Sequence, residues 1–528
     1  MADNRNREHW GGSLGFVLAT AGSAIGLGNI WRFPYIAGQN GGGAFVLIYL
    51  AMALLIGLPV MLSEIVLGRR TQRNPIGAFR ALNPPQCALA RWIGIPLAVS
   101  GILVLLLGQW GWGILILGGG LLVLRKRWTV VGLLASAAAF MILSYYSVVG
   151  GWTLLYMGRA ALGQLAFADV EAAKTAFGAA VTHPGQSILF HLLFMGLCVA
   201  VVFAGIRKGV ERWAKILMPA LFAMLVVLVL RALTLPGAME GVRFFLAPDF
   251  SKITGRTFLV ALGQMFFSMS LGMGAVIVYG SYLQKDVNLF RTSSAVIILD
   301  TLVALLAGLV IFPAVFAFGM EPTAGTGLVF QVLPTIFGQM NLGALWAFLF
   351  FALLMVAAWT SAISLLETIV SAAMDELGWA RHKATLVSGG AIAALGLVSA
   401  VSIADWSRIE GLHRAVVALF TTAPDSFFDL MDAVTSNWML TLGGLATCIF
   451  VGWIWGTQRA MEEIREGSGG IADAPWLSWA AGLHQDEHYS RELPGKLTLA
   501  LLWGVFVRFV CPAAILLVFL NAIGALGG

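Results

Sequence analysis

The chain has 528 residues, 59% of them hydrophobic and 11% charged, with a formal net charge of +6. Its mean hydropathy is +0.88. Soluble domains carry about 45–50% apolar and about 25% charged residues, so a water-soluble globule, a disordered chain and a collagen-like fibre are excluded. Repeated apolar runs of about 20 residues between short polar loops mark an all-α polytopic membrane protein. The polar opening, Met1 to Trp10, precedes an apolar stretch too long for a signal-peptide core, so no cleavable leader is expected. The positive charge reads as topology and not as nucleic-acid binding. Cys87, Cys198, Cys448 and Cys511 lie far apart without CxxC spacing and imply neither a disulfide framework nor a metal site.

In chain order the runs predict eleven spans, near 12–37, 44–68, 130–158, 186–204, 210–234, 257–283, 292–319, 342–375, 382–402, 429–457 and 497–525. Together they form one transmembrane domain over 1–528, with a first repeat over about 12–234, a second over about 257–457, and a final span. A cytoplasmic N-terminus places Arg69, Arg70, Arg73, Arg80, Arg207, Lys208, Arg212, Lys215, Lys285, Arg291, Arg381 and Lys383 inside, as the positive-inside rule requires, and puts the C-terminus outside. Between spans 2 and 3, residues 92–124 hold two extra apolar segments of about 15 residues, each about 23 Å as helix against about 30 Å of hydrocarbon. We read them as a short helical hairpin at the cytoplasmic half, free to bind lipid, a partner or a second protomer. The stretch Glu462–Glu492 reads as a solvated connector.

Spans 1 and 6 open the two five-span sets, and both carry glycine clusters mid-span: Gly22-Ser-Ala-Ile-Gly-Leu-Gly-Asn29 and Ser268-Met-Ser-Leu-Gly-Met-Gly274. Glycine costs about 1 kcal/mol in a helix interior. Such clusters serve either close helix packing through small residues or unwound backbone lining a cavity. The matched location in both halves favours a central binding site between inverted repeats. Arg32, Glu64, Asp300, Glu367 and Asp432 fall in or near apolar runs, where a charge costs at least about 2.5–3.5 kcal/mol and faces a bundle interior or a pathway.

The segments Trp10-Gly-Gly-Ser-Leu-Gly-Phe, Gly26-Leu-Gly-Asn-Ile-Trp-Arg-Phe-Pro-Tyr, Asn40-Gly-Gly-Gly-Ala-Phe, Gly263-Gln-Met-Phe-Phe-Ser-Met-Ser-Leu-Gly and Trp359-Thr-Ser resemble the neurotransmitter:sodium symporters. The resemblance spans nearly the whole chain except 92–124, and the architecture it implies is the one cited as typical of inverted-repeat transporters. It implies sodium-coupled symport of an amino acid across the cytoplasmic membrane. One implied sodium set is Ala24, Asn29, Ser268 and Asp300, and a second is Gly22, Ile25, Ala357, Thr360 and Ser361. Both sets present oxygens, which suit a hard cation; on residue type alone, Thr360 and Ser361 would simply bond backbone carbonyls of their own helix.

The resemblance places the substrate carboxylate at the backbone of Leu27 and Gly28 and at Tyr146, counts Ser268 among the substrate-binding residues, and lines the side-chain pocket with Ser23, Ile142, Phe267, Ser270, Met273 and Leu365. Gly26 stands where monoamine-carrying members have an aspartate, which favours an amino acid. The absence of charge in the side-chain set predicts a hydrophobic one, aromatic or branched. Implied gates are Arg32 with Asp432 outside, under Phe267, and Arg7 with Asp375 inside, near Trp10 and Tyr282. Gly209 and Pro219 resemble a motif that lets the inner half of span 5 unwind; the alternative is an ordinary proline kink. Asp300 stands where asparagine is usual, and Ala304 where chloride-independent members often carry glutamate, so Asp300 is expected to replace chloride. Proton coupling through Asp300 and a non-transporting sensor of the same fold are the other readings.

No catalytic constellation is expected. Gly11-Gly-Ser-Leu-Gly15 fits a hydrolase pattern without its strand or partners, and His484-Gln-Asp-Glu-His488 fits a metalloprotease pattern without a further ligand. No nucleotide-binding Walker sequence is present.

Overall fold

The computed structural model describes residues 7–83, 99–100, 120, 128–320, 327–403, 426–468 and 498–522. The predicted 92–124 hairpin lies almost wholly outside these residues, as do Cys87 and the His484–His488 motif. Among the described residues nine helices are long and apolar enough to cross a membrane: Gly43–Thr71, Thr129–Ala161, Pro184–Phe203, Ile206–Leu233, Leu289–Ala317, Gly343–Leu377, Arg381–Ser402, Phe427–Arg465 and Leu499–Ala522. These are spans 2 to 5 and 7 to 11.

Spans 1 and 6 are the two that do not run through. Span 1 consists of Ser13–Ala24 and Gly28–Gln39, bent by 51°. The break falls at Ile25, which turns extended at ψ 96°. Span 6 consists of Gly255–Ser268 and Ala275–Gly280. Between its halves Ser270, Gly272 and Gly274 have φ of 54°, 83° and 78°. A Cβ at Gly272 would run into the Leu440 carbonyl oxygen, so left-handed backbone and close approach both require glycine there. The freed Gly272 N–H donates to Glu64 Oε1 at 2.7 Å, which satisfies in protein a group that lipid could not.

Spans 3 and 8 pack along one another, and the inner half of span 1 lies against spans 5, 7 and 8. Shorter helices cap the bundle at Pro75–Leu82, Val170–Thr182, Ala238–Leu246 and Leu328–Gly338. Span 5 is wound through Gly209 and Pro219; it starts with a wide turn over Ile206–Glu211 and continues as α-helix to Leu233.

The connector expected from Glu462 onward needs correction at its start. After a left-handed kink at Gly456, φ 96°, the helix resumes over Thr457–Arg465 and buries Ala460, Met461, Glu463 and Ile464. Apolar and acidic residues alternate there at helical spacing, so one face packs under the bundle while the other stays wet.

Candidate functional site

A small cavity sits between the two helix breaks. Its walls are Ser23, Ala24, Gly26 and Gly28 of span 1, Ile142 and Tyr146 of span 3, Phe267, Ser270 and Met273 of span 6, and Ser361 and Leu365 of span 8. The six residues expected around a substrate side chain all line it. The Leu27 N–H donates to the Tyr146 hydroxyl at 3.2 Å, so Tyr146 keeps its own proton for another acceptor. Gly26 is packed tightly: a Cβ there would stand 2.6 Å from Ser361 Oγ and 2.9 Å from the Tyr146 hydroxyl. No side chain, and least of all an aspartate, fits without moving these groups.

Beside the cavity, Asp300 of span 7 is fully buried. Asn29 Nδ2 donates to Asp300 Oδ1 at 2.8 Å, and Ser268 Oγ approaches both carboxylate oxygens at 3.2 Å. The Tyr49 hydroxyl donates toward Asp300 Oδ2 at 3.3 Å and lies 3.2 Å from Ser268 Oγ. No lysine, arginine or histidine lies within ion-pair distance of Asp300 among the described residues. An ionised buried carboxylate with polar but uncharged neighbours is electrostatically incomplete. The Asn29 oxygen accepts from the Gly26 N–H at 3.2 Å; with the Ser268 and Tyr49 hydroxyl oxygens beside the carboxylate, the set fits a hard monovalent cation.

The second set behaves differently residue by residue. Thr360 Oγ1 bonds the Val356 and Ala357 carbonyls of its own helix, each at 3.1 Å. Ser361 instead reaches across to span 1, with Oγ 2.9 Å from Ser23 O, 3.3 Å from Ile25 O and 3.4 Å from Gly22 O. Gly22, Ile25, Thr360, Ala357 and Ser361 are therefore gathered at the span 1–span 8 contact, where carbonyls released by the break converge.

The two expected gates are in opposite conditions. Inside, Arg7 Nη1 bonds Asp375 Oδ2 at 2.8 Å, and Arg7 Nη2 reaches Ser281 and Ser371. Trp10 donates from Nε1 to the Tyr279 carbonyl at 2.9 Å and packs edge-on against Tyr279 and Tyr282. Outside, Arg32 and Asp432 are not paired. The Arg32 guanidinium lies 4.5 Å over the Phe267 ring, while Asp432 Oδ1 accepts from the Tyr145 hydroxyl at 2.9 Å and from Ser436 at 2.8 Å. With its carboxylate already satisfied by neutral donors, Asp432 leaves Arg32 to the aromatic face.

The sequence as a whole matches known proteins over almost its full length. The family model described as "Sodium:neurotransmitter symporter family" matches residues 7–93 and 171–482. The chain belongs to the sodium:neurotransmitter symporter family. It is 36% identical over 517 residues to an uncharacterized sodium-dependent transporter, YhdH, of Bacillus subtilis, covering 98% of both chains. It is 34% identical over 525 residues to an uncharacterized sodium-dependent transporter of Haemophilus influenzae, covering 98% of this chain and 99% of that one. The crystal structure of MhsT in complex with L-phenylalanine superposes with a TM-score of 0.76 at 38% identity, over 98% of this chain and 100% of that one. As a member of the sodium:neurotransmitter symporter family, the protein is a multi-pass membrane transporter.

Within this symporter frame the structure adds residues that the sequence reading missed. Tyr49 joins Ser268 to Asp300; its only sequence signal was a hydroxyl-bearing residue inside an apolar run of span 2. Gln264, quoted within the span 6 motif but given no role, donates to the Gly28 carbonyl at 2.8 Å and so ties the two broken spans together. At the inner face Glu8 accepts from the Ile206 N–H at 2.7 Å and Glu211 from the Gly11 N–H at 2.8 Å. Glu367 takes the Tyr282 hydroxyl at 2.6 Å and Arg381 Nη1 at 2.8 Å.

Proposed function

We propose that the protein is a sodium-coupled symporter that carries a hydrophobic L-amino acid across the cytoplasmic membrane by alternating access, with its N-terminus in the cytoplasm and its C-terminus outside. The observation that carries this reading is the buried Asp300 carboxylate, without a basic side chain at ion-pair distance among the described residues, adjoining an uncharged cavity between two broken helices. Sodium is cargo in this scheme. One ion takes oxygens from Ala24, Asn29, Ser268 and Asp300, and the other from Gly22, Ile25, Ala357, Thr360 and Ser361.

The substrate carboxylate lies at the Tyr146 hydroxyl, whose proton is uncommitted, and at the unwound backbone of Leu27 and Gly28, where an anion is favoured by the start of the outer half-helix. It thereby completes the first sodium's shell, so that each ligand raises the affinity of the other. An acidic or basic side chain would find no partner among Ile142, Phe267, Met273 and Leu365. The L-phenylalanine named for MhsT agrees with an aromatic or branched cargo. Asp300 supplies the fixed negative charge beside the sodium, so chloride is not required.

The test is uptake of a radiolabelled amino-acid panel into proteoliposomes with an inward sodium gradient. Accumulation of leucine, phenylalanine or tryptophan above equilibrium is expected. Better competition by glutamate or lysine would sink the substrate class, and binding without accumulation would indicate a sensor. Asp300→Asn should weaken sodium-dependent transport about tenfold or more and make the residue responsive to chloride. Unchanged sodium affinity and chloride response in that variant would overturn the role given to Asp300.

A further inference from the structure

The cavity contains two serine hydroxyls at its side-chain end, one from each broken span: Ser23 and Ser270. A serine hydroxyl has one proton to give and two lone pairs. Ser23 Oγ donates to Ser364 Oγ at 2.6 Å, and Ser364 Oγ donates onward to the Ser361 carbonyl at 2.8 Å. Ser270 Oγ donates to the Ser23 carbonyl at 2.9 Å. The left-handed backbone of Ser270, φ 54°, aims its hydroxyl across the gap between the breaks. Both protons are therefore committed to protein oxygens, and a carbonyl has none to return. Reversing the Ser23–Ser364 bond would give up the bond from Ser364 to Ser361. The other walls of this end, Ile142, Phe267, Met273 and Leu365, carry no N–H or O–H in their side chains. The cavity thus offers its proton donors at the Tyr146 end and only lone pairs at the other.

We infer that Ser23 and Ser270 make the side-chain end of the pocket acceptor-only, so that among bulky hydrophobic amino acids it selects those whose ring carries a hydrogen-bond donor, the indole class. This rests on the proposed amino-acid site and specifies it. A ring N–H buried in a dry pocket needs an acceptor; the third wall serine, Ser361, stands beside the Tyr146 hydroxyl at Gly26, and the side-chain end offers the Ser23 and Ser270 oxygens. A ring of the same shape with no donor leaves both serine oxygens facing hydrocarbon. Sites built around a hydrogen bond discriminate against the analogue lacking it.

The probes are L-tryptophan and L-3-benzothienylalanine, in which sulfur replaces the ring N–H at nearly the same size, with L-phenylalanine as reference. Binding to the purified full-length protein is measured in sodium. Tryptophan should bind about tenfold tighter than the thia analogue, the factor expected for one hydrogen bond, although the analogue is the more hydrophobic. In Ser23→Ala and in Ser270→Ala the ratio of tryptophan to thia-analogue affinity should narrow to about twofold, whatever change the three ligands share, while Ser23→Thr keeps the ratio. A merely structural role for either serine would weaken all three ligands together at an unchanged ratio, which would overturn the inference. So would equal binding of tryptophan and its analogue to the wild type, or a gap that survives in both alanine variants. Sodium-dependent phenylalanine binding without a tryptophan preference would leave the proposed symport standing and remove only this inference. Absence of sodium-dependent binding of any amino acid would remove both.

Discussion

The surroundings of the two expected gates are held by different means. Around Arg7 charged groups meet in direct bonds. Arg7 holds Asp375, Arg381 holds Glu367, and Lys215 holds Glu211 at 2.6 Å. Beneath them Glu463 is enclosed by Arg69 Nε at 2.9 Å, Lys285 Nζ at 2.6 Å and Arg70 Nη1 at 3.3 Å, and its backbone carbonyl takes a further Arg69 N–H. Arg32 and Asp432 instead each find neutral partners and not one another. The difference teaches that the two expected gates are in different conditions in one structure: Arg7 and Asp375 are joined, and Arg32 and Asp432 are apart.

The strongest way to break this comparison is Glu463→Gln. Arg69 and Glu463 both have fully buried side chains, and removing one member of a buried pair costs about 3–5 kcal/mol because the other charge is left uncompensated. A large loss of thermal stability in detergent, or failure to accumulate folded protein, is expected. A midpoint within about two degrees of wild type would show that the pair is not structural. Next is Asp375→Ala, which removes a partly exposed pair of 16% and 27% side-chain exposure. A charge-assisted bond of this kind is worth about 1.5–3 kcal/mol at most, and less when wet. The folded protein should persist while hydrogen exchange in residues 7–24 rises about tenfold. Unchanged protection there would mean that Arg7 does not seal the inner path. The smallest effect belongs to Arg32→Ala, which loses a cation–π contact of about 0.5–1 kcal/mol. Its stability should be near wild type and its sodium-dependent uptake reduced, because the loss falls on the closed outer state not seen here. Uptake at the wild-type rate would argue against any gating role for Arg32.

The same contrast explains what the sequence could show. Hydropathy reveals that a segment crosses lipid: among the described residues nine of the eleven predicted spans have counterparts in continuous helices and a tenth in the bent pair Ser13–Ala24 and Gly28–Gln39, while span 6 falls on two shorter helices, Gly255–Ser268 and Ala275–Gly280. Glycine clusters reveal where a helix is weak, and Gly26 and Gly272 do sit at the breaks. Neither signal says which helices become neighbours. Arg69 and Glu463 are 394 positions apart, and nothing in either local pattern announces the other. The Thr457–Arg465 helix was lost among charges for the same reason: a buried glutamate looks solvated until its cations are placed. Tyr49 was hidden by its aromatic ring, which reads as packing in an apolar run. The sequence names Arg32 and Asp432 as a conditional pair but does not encode which arrangement, joined or apart, is adopted.

Glu463 has a mechanical consequence. It fastens the neighbouring ends of spans 2 and 10 and the 6–7 connection into one frame around a buried carboxylate, with Arg69 buried beside it and Arg70 and Lys285 reaching it from the surface. The N-terminal segment is held instead by Arg7, Glu8 and the Gly11 N–H, at bonds that water and dissolved ions can reach. Screening acts on exposed charges and scarcely on buried ones. Added salt should therefore ease the Arg7 segment without loosening the Glu463 frame.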